Sequence, residues 1–505
     1  MNANIFAAFA SIARQAGDAP FLETDDGQIL SYAQMLDTTA RYAHALTQLG
    51  VQPGDRVAVQ VDKSARNYCL YLATLRMGAI YLPLNTAYQI NELEYFLGDA
   101  EPRVFVCEPA ELAAKSELAR RHGVAHVMGL SDAGDGSLDL LAAAQAADFD
   151  TVQMPGDAVA VIIYTSGTTG RPKGAMLTHA SLLSNGQALT QLWGFTAKDV
   201  LLHALPLFHA HGLFISGHCA LLSGSRMLFL KKFNAQQVLS LLPRATVMMG
   251  VPTFYTRLLD QPGFTAACSA NMRLFVSGSA PLLADTNRDF LQRTGQIVLE
   301  RYGMTESAII TSNPCVGERR IGSVGQAIDG VEVRITDDQD RLLPADQIGG
   351  IQICGSGVMK GYWRKPEKTA EEFTADGWFR TGDQGILSSD GYLTIVGRAK
   401  DLVISGGYNV YPKEVEMAID ALPGVGESAV IGIADRDFGE AVTAVVVRKN
   451  DGLGGDEIIQ ALKGQLANYK VPKHVFFVPE LPRNAMGKVM KSTLRDTYGK
   501  PVAVA

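Results

Sequence analysis

The sequence predicts an α/β chain with more than one domain. A large N-terminal region of mostly parallel sheets flanked by helices is followed by a small antiparallel subdomain, then by a small α+β unit. Three observations carry this expectation. At 505 residues the chain is longer than one hydrophobic core ordinarily serves. Short β-branched runs alternate with segments of helical periodicity through the first three-fifths of the chain, the pattern of strand–helix–strand units. From about Gly322 this gives way to strand-like segments set off by turn signals, and beyond Arg398 to a third, mixed texture.

In chain order, the spacing of Ile5, Phe9 and Ile12 predicts an amphipathic first helix. No basic residue precedes Arg14, so the segment does not read as a signal peptide. Strands are expected over residues 56–60, 80–84, 103–107, 158–164, 200–205, 226–230, 245–250, 274–277 and 297–301. Helices are expected over 32–49, 67–77, 181–192 and 283–293. So many strands imply more than one sheet. Asp337-Asp338, Asp376-Gly377 and Asp390-Gly391 mark tight turns of the antiparallel subdomain, residues 320–397. Further on, a strand over 401–405, a helix over 414–422, strands over 428–433 and 441–448 and a helix over 457–466 form the last unit, 401–505. The boundary falls at 398–400, closing a first domain of residues 1–397.

Composition bounds the function classes. The chain is 47% hydrophobic and 19% charged, with 50 glycines and a net charge of −7, which argues against a nucleic-acid or anionic-membrane partner held by bulk charge. No apolar run approaches the roughly 18 residues that span a bilayer. Cys69, Cys107, Cys219, Cys268, Cys315 and Cys354 are scattered, with no C-x-x-C pair. They read as small buried residues and point to the reducing cytoplasm.

Residues 164–174 read Tyr-Thr-Ser-Gly-Thr-Thr-Gly-Arg-Pro-Lys-Gly and follow an apolar strand directly. Glycines open backbone geometries closed to other residues. Exposed N–H groups of such a loop form an anion-binding concavity, and the hydroxyls of Thr165, Ser166, Thr168 and Thr169 add donors. Lys173 supplies charge for terminal phosphates. The G-x-x-x-x-G-K-[ST] spacing fails, so this is not a Walker A loop.

This segment resembles the phosphate loop of the adenylate-forming superfamily, which contains acyl-CoA synthetases, firefly luciferase and nonribosomal peptide adenylation domains. Further segments match in the family's order: Tyr302 to Glu306, Tyr362-Trp363 before Thr381 to Asp383, Gly397 to Asp401, Ser405 to Asn409 and Pro482 to Lys488. The resemblance covers essentially the whole chain. It implies a barrel-like antiparallel subdomain, a hinge over 398–400 centred on Lys400, and a mobile C-terminal lid. It implies an ATP-dependent acid:CoA ligase working through an acyl-adenylate. ATP contacts are implied for Thr165, Ser166, Gly167, Thr168, Thr169, Gly170, Lys173, Ser279, Ala280, Arg301, Tyr302, Gly303, Met304, Thr305, Asp383, Arg398 and Lys488.

The motifs also carry chemistry of their own. Tyr302 offers an aromatic face for a base, Thr305 a hydroxyl for the α-phosphate, and Glu306 a hard oxygen for Mg²⁺, with Thr165 as a second ligand. Asp383, in a turn between strands, can accept both ribose hydroxyl protons, and the resemblance makes Arg398 the second ribose contact. A lysine aimed where charge builds on the phosphate and bridging oxygens acts in the transition state, and Lys488 matches the family's catalytic lysine. It must enclose the phosphates in step one and withdraw for the thiol. Ser405, Gly406, Gly407 and Tyr408 match the loop lining the thiol tunnel in relatives. The context of Lys488 also resembles that in which such enzymes are acetylated, which would remove its charge. A lysine acetyltransferase and deacetylase are therefore expected partners.

Relatives line the acyl pocket with the segment after residue 254 and the start of the Tyr302 motif. Here these places carry Arg257 and Arg301. A desolvated arginine needs an anionic partner, so either one turned inward implies a second carboxylate on the substrate. Otherwise Arg301 pairs with Glu300, and Arg257 is a solvated helix residue. Ser277, Met304 and His209 are expected near the acid, while His209 and His211 lack a third ligand at metal-binding spacing. The two arginines and the His209 to Leu213 segment resemble the malonyl-CoA synthetases of the superfamily, implying malonate or methylmalonate. Three alternatives stay open: an aryl or medium-chain acid, a carrier-protein thiol as acceptor, and an inactive homologue.

Overall fold

The computed structural model describes residues 2–165, 172–405, 408–435, 438–449, 452–463, 465–484 and 487–499. Two large sheets dominate. The first has five parallel strands, Val159–Thr165, Ile80–Pro83, Arg56–Gln60, Val104–Cys107 and His126–Gly129, extended at one edge by the antiparallel strands Lys173–Thr178 and Gly361–Tyr362. The second runs through Leu299–Met304, Leu274–Ser277, Val247–Gly250, Val200–His203, Arg226–Phe229 and Pro20–Thr24, all parallel, with antiparallel strands at both ends.

One continuous core joins the facing sides of the two sheets through the helices Ile5–Ala16, Tyr32–Gln48, Ala65–Arg76 and His179–Leu192. Alternate residues of each sheet face outward. Ala58, Leu82 and Phe105 meet the helices Ile90–Ala100 and Leu112–Arg121. Leu202, Met248 and Phe275 meet Ala235–Leu241, Pro252–Leu259 and Ala284–Thr294. Sheets buried on both faces account for the unbroken apolar runs that marked these strands. Helix starts follow capping chemistry: Ser31 and Gln34 form a capping box, and Ser64 accepts from the Asn67 amide.

The antiparallel subdomain is a four-stranded sheet, Val331–Thr336, Ile348–Gly355, Phe379–Leu387 and Leu393–Arg398, whose Ile335, Ile351 and Ile353 join the main core. Beyond it the short turn Ala399–Asp401 leads to a five-stranded sheet covered by Pro412–Asp420, Gly455–Lys463 and Lys491–Tyr498, with core clusters of its own. Arg495 clasps Asp401 at 2.7 Å, tying the last helix to that turn. Among the described residues no helix is long and apolar enough to cross a membrane.

Candidate active site

The parallel strands of both large sheets deliver their carboxyl ends to one crevice, where ligands of open α/β sheets bind. Thr165 ends one of them. Its register partner is Lys173, so the glycine-rich segment joins two antiparallel strands. The residues expected to cradle phosphate, Ser166, Gly167, Thr168, Thr169 and Gly170, lie outside the described residues. The Thr165 hydroxyl donates to the Lys173 carbonyl at 3.4 Å. Lys173 Nζ pairs with Glu372 at 3.0 Å and lies 4.1 Å from the centre of the Tyr362 ring.

Tyr362 also reaches the buried Glu306, donating its hydroxyl to Oε1 at 3.1 Å. Burial raises the Glu306 pKa above the usual carboxylate range, against the pull of that hydrogen bond and of Lys173. A buried carboxylate in this condition gains from a hard cation. Tyr302 donates to Asp383 Oδ2 at 2.5 Å, and Arg398, opposite Asp383 in register, reaches Oδ1 at 3.1 Å. Each oxygen keeps acceptor capacity for a further donor. Gly303, Met304 and Thr305 line the same edge, half-buried.

On the other side of the crevice Arg301 is 5% exposed. Its Nε and Nη2 have no hydrogen-bond partner, and among the described residues no carboxylate pairs with it. Burial holds its pKa down to about 10. The guanidinium lies against the backbone at Gly278, where a Cβ would stand 2.1 Å from its Cζ, so only glycine admits it. Near it His211 Nε2 and His209 Nε2 also lack partners, as does Ser277 Oγ in the neighbouring strand, in register with Glu300. His211 shares a 3.2 Å hydrogen bond with Ser279, which has φ +69°, and Ala280 follows half-buried. Burial, reinforced by Arg301, keeps His211 neutral; burial alone lowers His209 to about 4.

The two arginines stand apart. Arg257 does not share the burial of Arg301: in Pro252–Leu259 the buried residues are Tyr255 and Leu258, and Arg257 is exposed, one turn on from Thr253. Nor does Arg301 pair with Glu300, because successive strand residues point to opposite faces. Glu300 instead accepts from the Gly322 amide at 3.0 Å.

The small C-terminal unit closes on this crevice. Asn484 Oδ1 accepts from the Lys488 amide at 3.0 Å, and Arg483 donates to the Gly487 carbonyl at 2.6 Å. A Cβ at Gly487 would lie 3.3 Å from Thr253 Oγ1, so the loop rests on the start of the helix Pro252–Leu259. Lys488 is half-buried, and its pKa falls to about 8, first through burial and then through Arg398, with Asp383 opposing. The structure thus brings Lys488 to the Asp383–Arg398 pair. Lys400 is exposed in the connecting turn. Ser405 is buried with its hydroxyl unpartnered, Tyr408 is exposed and stacked on Tyr469 at 4.7 Å, and Gly406 and Gly407 lie outside the described residues. Among the described residues no cluster of His, Cys, Asp and Glu could by itself hold a metal. Lys63 and His203, buried beside this crevice, carry no spacing that singled them out, since each reaches its partners only through the fold.

Residues 9–363 match the AMP-binding enzyme family, and residues 414–488 match the AMP-binding enzyme C-terminal domain. The chain is 37% identical over 485 residues to a feruloyl-CoA synthase of an Amycolatopsis species, covering 94% of this chain and 95% of the relative. It is 35% identical over 507 residues to the mitochondrial malonate–CoA ligase of Mus musculus, covering 92% and 86%. ATP-bound MatB from Rhodopseudomonas palustris superposes with a TM-score of 0.96 at 51% identity over 99% of each chain, and its apo form with 0.87 over the same share. The chain therefore belongs to the AMP-binding enzyme family, as one of its acyl-CoA ligases.

Proposed function

We propose that this ligase activates malonate, with methylmalonate the nearest alternative, and transfers the acyl group to CoA. The observation that carries the reading is Arg301: a buried guanidinium with unpartnered nitrogens, beside His211 and His209, in the crevice that Lys488 closes. A charge left alone in such a place costs about 3–5 kcal/mol relative to a paired one. A second carboxylate on the substrate supplies the missing partner, and guanidinium geometry suits it.

One carboxylate of the acid is held near Arg301, with Met304 bounding the space. The other attacks the α-phosphorus of ATP, and pyrophosphate leaves. Thr165, the glycine-rich segment and Lys173 hold the phosphates. Tyr302 faces the base, with Ser279, Ala280 and Gly303 beside it, while Asp383 and Arg398 take the ribose hydroxyls. Lys488 and Thr305 meet the charge growing on the α-phosphate, and removing such a donor costs about 10²–10³ in rate. Glu306, with Thr165, would hold Mg²⁺, which when bound neutralises phosphate charge. The thiol sulfur of CoA then attacks the acyl carbon and AMP leaves. For this second step the lid turns about Lys400, bringing Ser405 and Tyr408 to the thiol's path. The better superposition on the ATP-bound form of MatB supports reading the present arrangement as the adenylating one.

The test is AMP formation with ATP, Mg²⁺ and CoA across malonate, methylmalonate, succinate, acetate, butyrate, benzoate and ferulate, for the unmodified chain and Arg301→Met. Malonate turnover falling at least about a hundredfold in the variant supports the reading. Equal turnover of monoacids, indifferent to Arg301, refutes it and favours an aryl or short monoacid, as the feruloyl-CoA synthase relative suggests.

A further inference from the structure

Beyond the groups that face the crevice lies a buried amine with no role in the chemistry above. Lys63 sits between the strand Arg56–Gln60 of the first large sheet and the helix Ala65–Arg76. It is 6% exposed, and among the described residues no carboxylate is in contact with it. Its Nζ is instead 2.6 Å from His203 Nδ1 and 2.8 Å from the His203 carbonyl oxygen, and 4.2 Å from the centre of the Phe229 ring. His203 and Phe229 end neighbouring strands of the second large sheet.

The hydrogen-bond chain continues in one direction only. His203 Nε2 lies 2.8 Å from the Gly212 carbonyl. A carbonyl only accepts, so Nε2 carries the proton and Nδ1 is left to accept from Lys63. Gly212 belongs to the tight turn His211–Ser216, which packs so closely that a Cβ there would stand 2.0 Å from the Pro206 carbonyl oxygen. The same turn carries His211, and the Leu213 amide ties it to the His209 carbonyl at 2.8 Å. A buried amine is costly to desolvate, and two good acceptors are what keep this one in place.

We propose that Lys63 is a positioning residue for the acid: through His203 and the Gly212 carbonyl it fixes the turn that presents His209 and His211 beside Arg301. It also braces the sheet that bears the phosphate-binding segment against the sheet that bears the acid pocket. This rests on the crevice beside Arg301 being the acid site. Lys63 touches no reactant, so its loss should weaken use of the acid and leave use of ATP nearly intact.

The experiment is steady-state AMP release by the full chain, varying malonate and ATP separately, or the acid identified by the screen if that is another. Lys63→Met, which keeps the stem and removes the donors, is expected to raise the acid KM about tenfold, with the ATP KM within about twofold. Lys63→Gln retains a donor for Nδ1 and should bring the acid KM back to within about threefold of the unmodified value. An unchanged acid KM in Lys63→Met, or acid and ATP KM rising together, overturns the proposal. If Lys63→Met does not fold, His203→Gln takes its place with the same asymmetry expected and the same results overturning it. Arg301→Met run alongside separates the two readings. A response there with none at Lys63 removes the brace alone, whereas indifference at Arg301 removes the acid site on which it rests.

Discussion

The role proposed for Lys488 carries a pH dependence. Burial and Arg398 hold its pKa down to about 8, so the ammonium is full below that pH and is lost as pH rises through it. Since the charged form is the one proposed to meet the α-phosphate, kcat/KM for pyrophosphate release should be level below about pH 7 and fall about tenfold per unit well above 8. Lys488→Arg, which stays protonated, should react more slowly and lack that limb. A limb that survives in the arginine variant would belong to another group. The same scale shows what could be read in advance. Tyr302, Glu306, Asp383 and Lys488 stand in motifs whose order named them, and the fold gathers them. Arg257 and Arg301 were indistinguishable by type. Helical periodicity held part of the answer, because Tyr255 and Leu258 mark the buried face and Arg257 lies off it. Nothing in the spacing could reveal that Gly278 leaves room for the Arg301 guanidinium.

Among the elements, strands buried on both faces were legible because they demand unbroken apolar runs. Some of their ends shift by one to three residues: the strand expected over 297–301 runs Leu299–Met304, while those over 56–60 and 274–277 stand as expected. The edge strands were missed. Pro20–Thr24 and Ile29–Ser31 join the second sheet beside a strand some 200 residues away in the chain, a pairing that no local pattern specifies. Lys173–Thr178 begins inside the glycine-rich segment, whose glycine and lysine mask the strand behind them. At this scale the end of Leu274–Ser277 offers a clean perturbation. Gly278→Ala places a methyl group 2.1 Å from Arg301 Cζ and must displace the guanidinium. The chain should still fold, with the malonate KM raised at least about tenfold in initial-rate measurements. An unchanged value would separate the guanidinium from the acid site.

The whole molecule pairs a large two-sheet body with a small unit that has its own core. The body's alternation and the small unit's different texture were both legible. The angle at which the small unit closes was not, because it depends on contacts such as Gly487 against Thr253 and Arg495 against Asp401 that join distant segments. One feature of the body reaches beyond catalysis. A guanidinium buried without a partner weighs against the folded state, and an anion that binds there favours folding by mass action, by about 2.7 kcal/mol at a hundred times its dissociation constant. Malonate alone, before any nucleotide, should therefore raise the melting temperature in differential scanning fluorimetry, where propionate at the same concentration does not. Equal shifts from the two acids would deny the effect. With the acid bound there as proposed, the same linkage would make nutrient supply a custodian of the protein in a cell, a chain starved of its acid opening more often and meeting proteases sooner.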